Sequence, residues 1–363
     1  PSIPPSPRTT TPGEVHFKLG GVARNVAECI SKLGTKPYLI SALGTDIAGK
    51  LLLQPWESAG LSTQGIRKHQ DIQTPVICNI FDTNGELAAA VARVDAIEKF
   101  LTADWIRLSV SYIRSSPIVM VDANLTPSAL AACCEVAAKF DTPVWFEPVS
   151  VAKSRRIVSV VQHISIVSPN EDELIAMANA LSGGEVLSPP ERNDSNATST
   201  DSLFSVCKRA ASVLLEKGVK IVAVTLGAHG VLLCSRGSKS MKFRLDRTRR
   251  CINEQFYNSV AATCPSSRSS VTVPFESERS VDLFAAHFPA LPASVIKLTG
   301  AGDCFVGGTL ASLCAGLDLM QSVAVGIAAA KAAVESETNV PATFMLDAIA
   351  DDAKLVYSTV RIL

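Results

Sequence analysis

Residues 118–147 read IVMVDANLTPSALAACCEVAAKFDTPVWFE. A short β-rich run, Ile118 to Asp122, is followed by a helix-period segment, Ser128 to Lys139, and then by a second β-rich run, Val144 to Glu147. Two such runs separated by a helix read as a strand, a crossover and a parallel strand. The pattern repeats outward in both directions. Ile164 to Val167 and Ile221 to Thr225 are further short strands, and Leu203 to Lys217 has helical spacing. Upstream, the helix-like Asn25 to Leu33 precedes the apolar run Pro37 to Leu43. Such alternation predicts an α/β chain with a mostly parallel, doubly wound sheet between helical layers. One stretch breaks it: Val76 to Phe81 and Glu86 to Val94 flank an Asn-Gly turn, which predicts a β-hairpin appended to the sandwich. The Ala- and Gly-rich stretch Asp303 to Val334 reads as two closely packed helices.

Composition bounds the function. The chain has 363 residues, 47% of them apolar and 19% charged, which excludes disorder throughout. Lys plus Arg equals Asp plus Glu at 34 each, so no basic excess argues for nucleic acid as a partner. No run of 18 apolar residues suggests a membrane span, and the opening PSIPPSPRTTTPG has no apolar signal core. Residues 1–14 read as a disordered Pro-rich start. Two stretches, about 182–202 and 236–279, are Ser-rich or basic without a sustained period and read as loop insertions. None of the ten cysteines forms a C-x-x-C pair, and their apolar surroundings read as small buried side chains in a reducing, cytoplasmic setting.

Three glycine motifs carry candidate chemistry. Gly20-Gly21 precedes a helix, so the backbone there can approach a ligand, and Asn25 can offer an amide to a hydroxyl; a tight strand-to-helix turn explains the same residues. Gly44 to Leu51 (GTDIAGKL) approaches a phosphate loop, but Leu51 stands where Ser or Thr would ligate Mg²⁺, so that site is rejected. Gly300-Ala301-Gly302-Asp303 opens an apolar helix. Its N–H groups and dipole suit an anion, and Asp303 is either a helix cap or a general base. Asn170 and Glu173, three apart at a helix start, can organise a hydrated Mg²⁺ or cap that helix. Thr225-Leu-Gly227-Ala-His-Gly230 follows a strand and turns tightly at the edge where α/β sheets bind ligands; His229 reads as a turn residue.

Jointly these motifs resemble the ribokinase-like (PfkB) family of carbohydrate and nucleoside kinases. The first motif fits GG-x-x-x-N-x-A with Gly34 and Gly44 following, and GAGD lies far downstream. Within the family the chain is similar to pseudouridine kinases, through Gly20 to Glu28, Val121 to Thr126 and Glu147 to Lys153. The resemblance implies one kinase domain over 15–363, an α/β/α sandwich with the hairpin near 76–94 as a lid. It implies ATP-dependent phosphorylation of a ribosyl 5′-hydroxyl, pseudouridine first, with ribose or another nucleoside as the alternative. It implies that Gly20, Gly21 and Asn25 bind the sugar, Asp303 is the base, Gly300, Ala301 and Gly302 stabilise the transferring phosphoryl, Thr225, Gly227 and Gly230 border ATP, and Asn170 and Glu173 organise Mg²⁺. A homodimer through the lid and a fused or partner pseudouridine-5′-phosphate glycosidase are implied partners. Two departures stand out. Lys297-Leu-Thr replaces an Asp-Thr-x that forms a monovalent-cation site in relatives, so no such activation is expected. A first strand with a sugar-binding Asp, usual before the first motif, has no counterpart in PSIPPSPRTTT, which raises the further alternative of a catalytically impaired kinase fold.

Overall fold

The structure is a computed structural model that describes residues 10–83, 87–93, 95–188, 200–238, 240, 243–246, 251–266 and 283–363. The strands are β1 (Ser41–Gly44), β2 (Ile66–His69), β3 (Val76–Phe81), β4 (Leu87–Arg93), β5 (Val119–Asp122), β6 (Val144–Glu147), β7 (Ile166–Val167), β8 (Ile221–Thr225), β9 (Val231–Arg236), β10 (Leu283–Phe288) and β11 (Arg361–Ile362). The helices are α1 (Val22–Lys32), α2 (Ile47–Ser58), α3 (Asp95–Phe100), α4 (Ala103–Leu108), α5 (Val110–Ser115), α6 (Pro127–Lys139), α7 (Val151–Ser154), α8 (Glu171–Ser182), α9 (Thr200–Glu216), α10 (Glu254–Thr263), α11 (Ala301–Cys314), α12 (Leu319–Val334) and α13 (Leu346–Ser358).

Side chains alternate faces along a strand, and the two faces of β5 to β11 feed two separate cores. Trp145, Ile166, Ile221 and Ala223 join the core that α1, α10, α11, α12 and α13 cover. Val144, Phe146, Val167, Val222 and Val224 join the core beneath α6, α8 and α9. Because both faces are buried, these strands are continuous apolar runs rather than alternating ones. Helices therefore lie on both sides, as the sequence predicts. Among the described residues the strand order of this sheet is β11-β10-β9-β8-β7-β6-β5. Pairing is parallel from β5 to β8, while β8–β9, β9–β10 and β10–β11 are antiparallel. The tight turn after Thr225 leaves no room for a crossover helix, so the chain returns beside its own strand. β1 and β2 form a separate parallel pair, and β3 and β4 form the expected antiparallel hairpin.

Two sequence expectations need correction. Residues 251–266 lie within the stretch read as a loop insertion, yet Glu254–Thr263 is a helix with Phe256, Tyr257 and Val260 buried. Tyr257 donates its hydroxyl to the Leu33 carbonyl at 3.0 Å, and the Ile252 amide reaches the Gly34 carbonyl at 3.0 Å, so this piece seals the end of α1. Its apolar residues are few, and the Ser-rich surroundings hide their period. Likewise Leu187, inside the other stretch, is buried, and Asn179 accepts from its amide while donating to its carbonyl. Residues 189–199, the centre of the first expected insertion, and 267–279, the end of the second, lie outside the described residues, as do residues 1–9. Residues 10–14 are described and irregular.

Candidate active site

Two glycine-led helices start side by side. Asn25 on α1 donates its amide to Asp303 Oδ2 on α11 at 2.6 Å. One turn further along both helices, a Cβ on Gly307 would sit 2.6 Å from Cys29 Cβ. Only glycine allows that approach, so the two helices run in the same direction with their positive ends together. Gly21 has φ 99°, a left-handed conformation that frees the chain to enter α1. Gly300 has φ 96°, and a Cβ there would lie 2.2 Å from the Asn339 carbonyl. Asn339 ties the two motifs together: its amide donates to the Leu19 carbonyl at 2.9 Å, and its side-chain oxygen accepts from Lys297.

At the start of α11 the Ala301 amide reaches the Leu298 carbonyl at 3.3 Å and the Cys304 amide closes on Gly300 at 2.9 Å. Among the described residues the amides of Gly302 and Asp303 find no backbone acceptor. They are open donors at a helix N-terminus, where an anion is favoured. A Cβ added at Gly20, Gly227 or Gly302 would meet nothing within 4 Å. Packing does not demand glycine at these three positions, and the open space beside them fits close approach by a ligand. Gly227, with φ 54°, and Gly230, with φ 86°, both take the left-handed conformation of the turn, and at Gly230 a Cβ would also strike the Phe288 carbonyl at 2.0 Å.

Asp303 is partly buried. Burial pushes its carboxyl up to about 6, against the Asn25 hydrogen bond, with the nearby Asp122 carboxyl adding to the rise and Arg24 opposing it. Asp122 and Glu147 end β5 and β6 beside it. Burial also raises Asp122, which accepts the amides of Asn124 and of Ala23 at the start of α1. Burial holds Glu147 well above the ordinary carboxyl range, and Glu173 and Asp303 push it the same way. Trp145 donates to the Ser168 hydroxyl at 2.7 Å, and Ser168 donates to Glu147 Oε2 at 2.5 Å. Val149, two residues on, has φ 67°, a strained conformation for a β-branched residue and the kind that clusters at functional sites.

Asn170 and Glu173 form a capping box on α8: Glu173 N–H donates to Asn170 Oδ1 at 2.8 Å, and Asn170 N–H donates to Glu173 Oε2 at 2.9 Å. The alternative reading of this pair, an acidic helix start, is thus realised. It leaves Glu173 Oε1 and the Asn170 amide nitrogen outside the box. Asn170 bridges Thr225 in parallel register, which sets this motif against the Thr225–Gly230 turn. Among the described residues no group of three or more His, Cys, Asp or Glu forms a metal cage. The hard oxygens present suit an ion that keeps its water and binds phosphate, as Mg²⁺ does. The rejected phosphate loop is structural: Asp46 caps α2 and accepts from Gly49 and Thr74, and Gly44 and Gly49 each abut a carbonyl that a Cβ would strike at 2.0 Å.

The structure brings Asn25 and Asp303 together; the sequence reading did not single out Arg24, Asp122 or Glu147 as site residues. A carboxylate closing an apolar strand, as in VMVD and VWFE, is the signal that marks Asp122 and Glu147, because ligands bind beyond the carboxyl ends of such strands.

Over most of its length the chain is similar to known kinases. The family model described as "pfkB family carbohydrate kinase" matches residues 2–262 and 281–341. A pseudouridine kinase of Arabidopsis thaliana is 52% identical over 363 residues, covering 100% of this chain and 94% of the relative. A pseudouridine kinase of Escherichia coli K12 is 29% identical over 48% of this chain and 56% of its own length. The Arabidopsis thaliana ribokinase solved with ribose and ATP superposes with a TM-score of 0.68 at 19% identity, over 97% of this chain and 93% of that one.

Proposed function

The chain belongs to the pfkB family of carbohydrate kinases, and from that premise we propose that it transfers the γ-phosphoryl group of ATP to the 5′-hydroxyl of pseudouridine. The observation that carries the chemistry is Asp303 set beside the open amides of Gly302 and Asp303 and hydrogen-bonded to Asn25. The substrate rests on the 52% identity to a pseudouridine kinase.

Phosphoryl transfer is mostly positioning and charge stabilisation. Asn25 spends one amide hydrogen on Asp303 and keeps another for a ribose hydroxyl. Asp303 accepts the 5′-hydroxyl proton as the oxygen–phosphorus bond forms and ADP departs with its bonding pair. The Gly302 and Asp303 amides, at the ends of two aligned helix dipoles, stabilise the charge on the moving phosphoryl oxygens. Thr225, Gly227 and Gly230 border the nucleotide. Mg²⁺, when bound, neutralises phosphate charge; Glu173 Oε1 would hold its water, with Glu147 close by. Lys297, anchored on Asn339, supplies a fixed positive charge beside Gly300, so turnover should be the same in potassium and in sodium. One face of the hairpin exposes Val76, Ile80 and Val91, a patch suited to pairing with a second copy; Ile80→Asp should then shift a dimer to monomer on a sizing column.

The test is turnover with ATP and a panel of pseudouridine, uridine, adenosine and ribose. Pseudouridine should show the highest kcat/KM; preference for ribose or adenosine would replace it as substrate. Asp303→Asn should keep ATP affinity and lose about 10²-fold or more in kcat. Near-normal turnover would return Asp303 to the role of a helix cap.

A further inference from the structure

Arg24 sits between the two glycine motifs with its side chain only 13% exposed. Its guanidinium reaches three acceptors. Nε donates to the Gly20 carbonyl at 2.8 Å, Nη1 to Glu28 Oε2 at 2.5 Å, and Nη2 to the side-chain oxygen of Asn25 at 2.5 Å. Glu28 is held in turn by Lys32 at 2.6 Å. Arginine has donors and no acceptor, so only the oxygen end of the Asn25 amide can face it. The amino end must then face Asp303, where it donates at 2.6 Å. Turned over, the amide would set its oxygen against the Asp303 carboxylate and its N–H groups against the guanidinium, a repulsive arrangement at both ends.

We propose that Arg24 is a positioning residue for phosphoryl transfer: it fixes the polarity of the Asn25 amide, so that Asn25 donates both to the Asp303 carboxylate and to the substrate hydroxyl. The proposal rests on Asp303 acting as the base. One guanidinium joins the Gly20 backbone, the first turn of α1 and the base on α11 into a single hydrogen-bonded chain. Fixing the amide before substrate arrives avoids reorganisation during the reaction.

The pH dependence of turnover reads this role directly. The groups facing Asp303 are Arg24 and Asn25 from α1, Asp122 from β5 and Glu147 from β6. Asp122 opposes its charge, and the α1 pair favours it. A hydrogen bond to the charged form lowers a carboxyl's pKa, so losing it moves the acid limb of kcat/KM to higher pH. Arg24→Met, which offers no donor and keeps the apolar stem, should shift that limb up by about one unit, which is a loss of ~5-fold at pH 6 and almost none at pH 8.5. Arg24→Lys, which can still donate to Asn25, should recover part of the shift. Should Met impair folding, Arg24→Leu likewise removes every donor, and its limb is measured instead. A folded, donor-less variant whose limb coincides with that of the unmodified protein overturns the proposal, even if its rate is lower at every pH, because a purely structural loss is pH-independent. The base assignment fails separately, if Asp303→Asn still turns over. An inactive Asp303→Asn with an unmoved Arg24→Met limb removes Arg24 alone.

Discussion

Asp303 works at the balance of two opposed effects. Desolvation penalises its charged form, and the Asn25 amide favours it, leaving the carboxyl at about 6. A base must be deprotonated to accept the 5′-hydroxyl proton, so kcat/KM should rise with pH through about 6 and level above 7. A rate already flat from pH 5 would place the proton acceptor elsewhere. The same shift bears on stability. Between the ordinary carboxyl range and about 6, folded Asp303 binds a proton that the unfolded chain does not, so its contribution to stability falls as pH rises across that window. Asp303→Asn cannot ionise. It should therefore melt higher than the unmodified protein at pH 7.5, by ~2 °C or more, with a smaller margin at pH 5 and none at pH 3.

At the scale of the element, the first turn of α11 separates function from stability. Gly302 occupies a helical position with open space where a Cβ would stand. Alanine is the better helix former by ~0.5–1 kcal/mol, so Gly302→Ala should hold or raise the melting temperature. Its methyl group would fill the phosphate approach, and kcat/KM for ATP should fall by roughly 10-fold or more. Unchanged kinetics would take the phosphoryl group away from this turn. On α8, glutamine can still complete a capping box, so Glu173→Gln should fold normally yet need more Mg²⁺ for half-maximal rate; a superimposable Mg²⁺ titration removes Glu173 from the metal's surroundings. These elements also show what sequence can carry. The strands β5 to β8 and the starts of α1 and α11 were legible because local chemistry specifies them: apolar runs, capping residues and glycines at fixed spacing. The helix Glu254–Thr263 was not, because its burial depends on Leu33 and Gly34 over 200 residues upstream, and local sequence holds no trace of that partner. Arg24 was hidden for a similar reason. As a lone cation on a helix it reads as a solvated i,i+4 pair with Glu28; only the fold brings Asn25 and Asp303 together on its other side.

Over the whole molecule, acids from four elements converge at one end of the sheet: Asp122 from β5, Glu147 from β6, Glu173 from α8 and Asp303 from α11. Burial raises every one of them. Each alone is a modest cost to the fold at neutral pH, and together they make the ligand-free site the place where function and stability oppose each other. Each raised group binds its proton more tightly in the folded chain, so the stability each contributes is present at low pH and lost as pH climbs through its raised value. Asp46, whose burial is outweighed by hydrogen bonds from Thr74 and Gly49, is shifted the other way and titrates below this window. The ligand-free protein should accordingly need more urea to unfold at pH 5 than at pH 7.5. Mg²⁺ and ATP bring a cation to the same carboxylates and favour their charged forms. Binding only the folded state, the pair also stabilises by mass action, and more strongly where the acids are ionised. Saturating Mg-ATP should therefore raise the pH 7.5 midpoint more than the pH 5 midpoint, closing the gap or reversing it. A ligand-free midpoint higher at pH 7.5, or a gap that widens with Mg-ATP, would mean that these four acids do not share a site with the metal and its nucleotide.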